Sequence, residues 1–142
     1  MSSQRKRREK IEKILRRILG ESNSGTVIIV EGKKDKETLR KLGLTGPILC
    51  FKSSGRGLID FLSQIHAKKV MLLTDFDREG RDLSARMAKE LAQLRIRTDD
   101  VLRRQLGALI KQDLRTVEGL SSLVEKMRTE NEQQRSPAGS EP

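Results

Sequence analysis

Val70-Met71-Leu72-Leu73-Thr74-Asp75-Phe76-Asp77-Arg78-Glu79-Gly80 is the stretch on which the fold of this chain turns. An apolar run leads straight into Asp75 and Asp77, then into Glu79 and Gly80. The run has no polar alternation, as in a parallel sheet, where strands are covered on both faces. A second run of this kind, Val27 to Val30, ends in Glu31-Gly32. Two strand ends thus deliver Glu31, Asp75 and Asp77, with Glu79 close behind.

Working outward, strands are expected over 26–30, 47–51 and 69–73, with an edge strand over 94–98. Helices are expected between them. One runs from Asp35 to Leu42 and is stopped by Gly43. One is striped by Leu58, Ile59, Leu62 and Ile65. One runs from Arg78 to Leu94, burying Leu83, Met87, Leu91 and Leu94. Strands alternating with helices mean an α/β fold with a mostly parallel sheet of about four strands. Ligands of such sheets gather beyond the C-terminal strand ends, where both acidic motifs fall.

A basic N-terminal helix is expected over 1–20, with Ile11, Ile14, Leu15, Ile18 and Leu19 at helical spacing and Gly20 as its stop. Residues 21–128 form the main domain. Its last helical segments, Val101 to about Asp113 and Val117 to Met127, either cover the sheet or meet a partner, so a homodimer or protein partner is left open. Residues 129–142 are polar and cannot offset their ordering entropy, so a disordered tail is expected there.

The chain has 142 residues and a formal charge of +10, which favours a polyanionic partner. The single Cys50 excludes an intrachain disulfide and is expected in the core. With the single His66 it cannot complete a zinc site. No apolar run is long enough to span a bilayer and no leader is evident, so a cytoplasmic protein with no membrane partner is expected. The cationic face of the first helix holds Arg5, Arg7, Arg8, Lys13, Arg16 and Arg17. Either it is a solvated face on a packed helix, or it grips phosphates. Lys33, Lys34, Lys52, Arg56, Arg78 and Arg81 are further candidates for nucleic-acid contact. Phe51, Phe61 and Phe76 all read as core, which leaves little for base stacking.

Neighbouring carboxylates repel, and a divalent cation relieves that repulsion. An all-oxygen donor set favours Mg2+, with Mn2+ as the alternative. Asp75 and Asp77 are expected to project to one side and share it. Glu31 either completes the metal site or moves a proton as general acid and base. Glu79 either serves a second metal or, like Asp77, simply caps the positive start of the following helix. Gly80 keeps that start clear of bulk.

These motifs resemble the toprim family, the catalytic domain shared by type IA and type II topoisomerases, bacterial-type primases, OLD nucleases and the nucleases that mature 5S ribosomal RNA. The resemblance covers roughly Thr26 to Thr98. Glu31-Gly32 matches the family's first motif, and Asp75-Phe76-Asp77 its second. Asp77-Arg78-Glu79-Gly80 is similar to the type IA topoisomerase version, and Val30 to Asp35 to the ribosomal RNA enzymes. The resemblance implies a three-layer Rossmann-like toprim fold, Glu31 as general acid or base, and Asp75 and Asp77 as magnesium ligands. It also implies an additional acidic role for Glu79. The chain has no tyrosine, the nucleophile of a topoisomerase of this family, and it lacks the residues for a primase zinc module. A stand-alone member remains, similar to small archaeal ones. It would act as a magnesium-dependent nuclease, with RNA favoured over DNA as its partner. The alternatives are a non-catalytic nucleic-acid-binding or assembly module, and a catalytic subunit that needs a partner.

Overall fold

A computed structural model describes residues 2–111 and 114–134. Its strands are β1 (Val27–Val30), β2 (Ile48–Cys50), β3 (Lys69–Leu72) and β4 (Arg97–Asp99). The helices are α1 (Ser2–Asn23), α2 (Lys33–Lys41), α3 (Leu58–Ser63), α4 (Arg78–Gln93), α5 (Val101–Ile110) and α6 (Leu120–Gln134). All neighbouring strands pair in parallel, in the order β2-β1-β3-β4.

Strand alternation sorts the core into two halves. Ile28, Val30 and Met71 face α1, α2, α5 and α6, while Ile29, Val70 and Leu72 face α3 and α4. The result is three layers, with a central pair of strands that is apolar apart from Lys69 at the start of β3. The first connection steps from β1 outward to β2, and the next returns across β1 to β3 on the opposite face. The direction of winding therefore reverses between β1 and β3. Their C-terminal ends open into the crevice where α/β sheets bind ligands.

Helix α1 is part of this fold and not an appendage. Ile11 and Ile18 are buried to 0% and 1% exposure, each contributing about 1.5–3 kcal/mol. Gly20 does not stop the helix. α1 continues because Ser22 Oγ and Asn23 Oδ1 accept the Gly46 and Thr45 N–H groups. It ends where Gly25 turns left-handed at φ 98° and the Thr26 and Gly25 N–H groups bond back to Glu21 and Ser22. Gly43 closes α2 in the same way, as its position suggested.

Three further expectations shift. Leu94 is 46% exposed instead of buried. α4 ends before it, and the chain turns at Arg95, whose φ is 60°. The edge strand therefore begins late, at Arg97. The last helix begins at Leu120 and not Val117, whose N–H donates to the Asp75 carboxylate. It also runs on to Gln134, past the expected start of the tail. Residues 135–142 of that tail lie outside the described residues. Cys50 is half-buried at the open edge of the sheet. Phe61 is buried, with Phe51 and Phe76 half-buried beside the core. No helix among the described residues is long and apolar enough to cross a membrane.

Candidate active site

The reversal between β1 and β3 brings Glu31 onto Asp75. Glu31 is 5% exposed, and its Oε2 accepts the Asp75 backbone N–H at 2.8 Å. Its Oε1 lies 2.7 Å from Lys52 Nζ. The β2 exit is held to it as well, because the Lys52 N–H donates to the Glu31 carbonyl at 2.7 Å. Glu31 thus ties the ends of three strands together.

Asp75 lies past the end of β3, so strand alternation no longer governs where it points. Its Oδ1 accepts the Val117 N–H at 2.8 Å. Burial pushes its carboxyl up to about 6; the Val117 hydrogen bond opposes this, and the charges of Glu31, Asp35 and Asp77 add to it. Asp77 goes a different way. It caps α4, accepting the Gly80 N–H at 2.8 Å. Thr74 Oγ1 donates to the Gly80 carbonyl at 2.6 Å and closes the loop. Gly80 is packed directly on the Asp75 carbonyl, with no room for a Cβ. Glu79 is exposed in the first turn of α4, where a negative charge suits the helix dipole.

Asp75 and Asp77 are thus drawn to different partners, Asp75 to the Val117 N–H and Asp77 to its own helix. Among the described residues, no three His, Cys, Asp or Glu side chains stand together in a metal-holding arrangement. Glu31 is engaged by a lysine and a backbone amide, and Asp77 by its own helix. The donor chemistry nevertheless suits a hard cation. The charges of Glu31, Asp35 and Asp77 all bear on Asp75, and carboxylate oxygens are the donors a hard cation takes.

Two site residues were missed from the sequence. Asp35 is buried in the first turn of α2, where its Oδ2 accepts the Gly32 N–H at 3.0 Å. Burial raises its carboxyl; the Gly32 hydrogen bond opposes this and the Glu31 charge adds to it. The signal was there, since an acid three residues after a helix start commonly reaches back to that start. Arg103 is 4% exposed and donates to the Asp75 carbonyl at 3.3 Å. Its Nε has no hydrogen-bond partner among the described residues. Its spacing from Leu106 and Ile110 on one helical face was the available signal.

The cationic candidates divide. Arg8 is buried, and half-buried Arg7 donates to the Leu109 carbonyl at 2.7 Å, so neither stands on an open face. Arg5, Lys13, Arg16 and Arg17 are exposed, as are Lys33, Lys34, Lys52, Arg56, Arg78 and Arg81. Arg5 and Arg56 form surface ion pairs with Glu9 and Asp60.

A family model described as toprim domain matches residues 26–104. The chain belongs to the toprim-domain family. The matched segment of this toprim domain holds all four strands and both acidic motifs. Helix α1, the end of α5, and α6 with the Val117 anchor lie outside it. A UPF0292 protein of Pyrococcus furiosus is 38% identical over 120 residues, 84% of this chain and 88% of that one. Another from Methanosarcina acetivorans is 33% identical over 128 residues, 88% and 87% of the two chains. A solved structure of a protein from Aquifex aeolicus superposes with a TM-score of 0.62 at 26% identity, covering 75% of this chain and 94% of that one.

Proposed function

We propose that this toprim domain carries out Mg2+-dependent phosphodiester hydrolysis on nucleic acid, with RNA as the preferred substrate. The observation that carries the reading is the contact of Glu31 with the Asp75 backbone at the winding reversal of the sheet, in a chain of the toprim family. Asp75 and Asp77 would hold the cation, with Glu31 or Glu79 beside them and Mn2+ as a substitute. When bound, it would stabilise charge on the phosphate and activate a water.

The protein's own groups would supply the rest. Glu31 is held by the Asp75 N–H in a fixed place, where its other oxygen would either face the cation or take and give a proton. Lys52, Lys33 and Arg78 would neutralise phosphate oxygens at the strand ends. Arg7 reaches the C-terminal end of α5, while Glu21 near the other end of α1 pairs with Lys69 at the start of β3. That direction carries the cationic N-terminal half of α1 toward the acidic end of the sheet, where it would track a phosphate backbone.

A second reading has its own observation. Glu31 and Asp77 are both spent on structural contacts, as in a module that binds nucleic acid without cutting it. End-labelled structured RNA, single-stranded DNA and duplex DNA, each incubated with and without Mg2+, separate the two. Cleavage of RNA that needs Mg2+ and is lost in Glu31→Gln and Asp75→Asn is expected. Binding by folded protein with no cleavage would replace the first reading by the second. Cleavage that survives both substitutions would place the chemistry elsewhere.

A further inference from the structure

One contact in the acidic centre is itself a cation. Lys52 Nζ sits on Glu31 Oε1 at 2.7 Å, and the carboxylates of Asp75 and Glu79 also act on it electrostatically. The two partners differ in freedom. The Glu31 side chain is 6% exposed and the Lys52 side chain 60%. The carboxylate is fixed from below by the Asp75 N–H, and the ammonium reaches it from the solvent side on a flexible stem. The Lys52 backbone is pinned to the Glu31 carbonyl, so the side chain can leave without the turn moving.

We propose that Lys52 is the resident counter-cation of this centre, and that a divalent cation enters by displacing it, so that one event loads the metal and frees the lysine for a phosphate. This rests on the metal-dependent reading above. One Glu31 oxygen is already committed to the Asp75 amide, and the other is the one Lys52 covers. A dication and an ammonium on that same oxygen would repel each other strongly in so buried a place. Once a metal has made the centre more positive, the released ammonium is pushed outward. Its three donors on a four-carbon stem suit a phosphate oxygen entering from solvent.

The experiment is a Mn2+ titration followed by the electron paramagnetic resonance of the unbound ion, on wild type, Lys52→Met and Lys41→Met. Lys41 is exposed at the end of α2 and controls for loss of a remote charge. Lys52→Met should bind Mn2+ about tenfold tighter than wild type, and Lys41→Met within about twofold of it. Unchanged or weaker binding by Lys52→Met, with wild type still taking up Mn2+, overturns the displacement and leaves the metal reading standing. No uptake by any of the three proteins overturns both. A second measurement on wild type covers misfolding of the variant. Acylation of lysines, read by mass spectrometry, should increase several-fold at Lys52 and not at Lys41 when Mn2+ is added. Equal labelling with and without bound Mn2+ refutes the displacement.

Discussion

Replacing Asp75 by asparagine is expected to stabilise the protein while disabling its site. The folded-state pKa of Asp75 is raised from 3.8 to about 6, chiefly by burial. A raised acid binds its proton more tightly in the folded state, so its ionised form opposes folding. That opposition is absent below about pH 3.8, grows as pH rises, and is complete above about pH 6. At full strength the shift corresponds to about 3 kcal/mol. Asp75 is partly exposed, and solvent screening reduces this to about 1–2 kcal/mol. Asparagine keeps an oxygen to accept the Val117 N–H and carries no charge at any pH. Urea unfolding in EDTA, followed by circular dichroism because the chain has no Trp or Tyr, reads the difference. Asp75→Asn should be more stable by about 1–2 kcal/mol near pH 8, and by about a third of that near pH 4.5. Lower stability near pH 8, or the same increment at both pH values, would refute the reasoning. Saturating Mg2+ should then stabilise wild type by about 2–3 kcal/mol through mass action and leave the variant unmoved.

Gly80→Ala is expected to cost about 2–4 kcal/mol in the same assay, since a Cβ there collides with the Asp75 carbonyl and neither backbone can yield. A loss under about 0.5 kcal/mol would mean that the loop from Thr74 to Gly80 is looser than its hydrogen bonds imply. Arg95→Gly should raise stability by about 0.5–1 kcal/mol, because Arg95 holds φ 60° to close α4 and glycine adopts that conformation without strain. Changing exposed Lys13, Arg16 and Arg17 together to glutamine should leave the fold intact and flatten the salt dependence of RNA binding, by up to about three in log–log slope. Deleting residues 2–20 should instead unfold the protein, because Ile11, Ile14 and Ile18 go with the charges. A soluble, cooperatively melting truncation would contradict that.

Much of the architecture was legible because burial leaves a direct imprint on composition. Val27 to Val30 and Val70 to Leu73 could only be strands covered on both faces, and each fell within a residue of its expected limits. Element ends were less legible, being set by contacts from far along the chain. Gly20 has no tertiary reason to stop α1, and Val117 stands ahead of α6 with its N–H on Asp75. The same division runs through the site. Glu31 and Asp75 announced themselves by following apolar runs, whereas Asp35 and Arg103 sit inside helical patterns that read as ordinary first-turn and stripe positions.

By itself, the sequence determined a basic α/β chain with carboxylates at strand ends, because strand periodicity and acid placement are local properties that survive without a fold. Only the tertiary structure decided that β1 lies beside β3. That adjacency sets Glu31 on the Asp75 amide, while the pairing of β1 with β2 lays Lys52 over the remaining Glu31 oxygen. Such choices depend on which strand ends become neighbours and on which donors compete for each carboxylate oxygen. Both are settled by packing between residues 21 to 44 positions apart, a distance over which spacing in the chain carries no geometry.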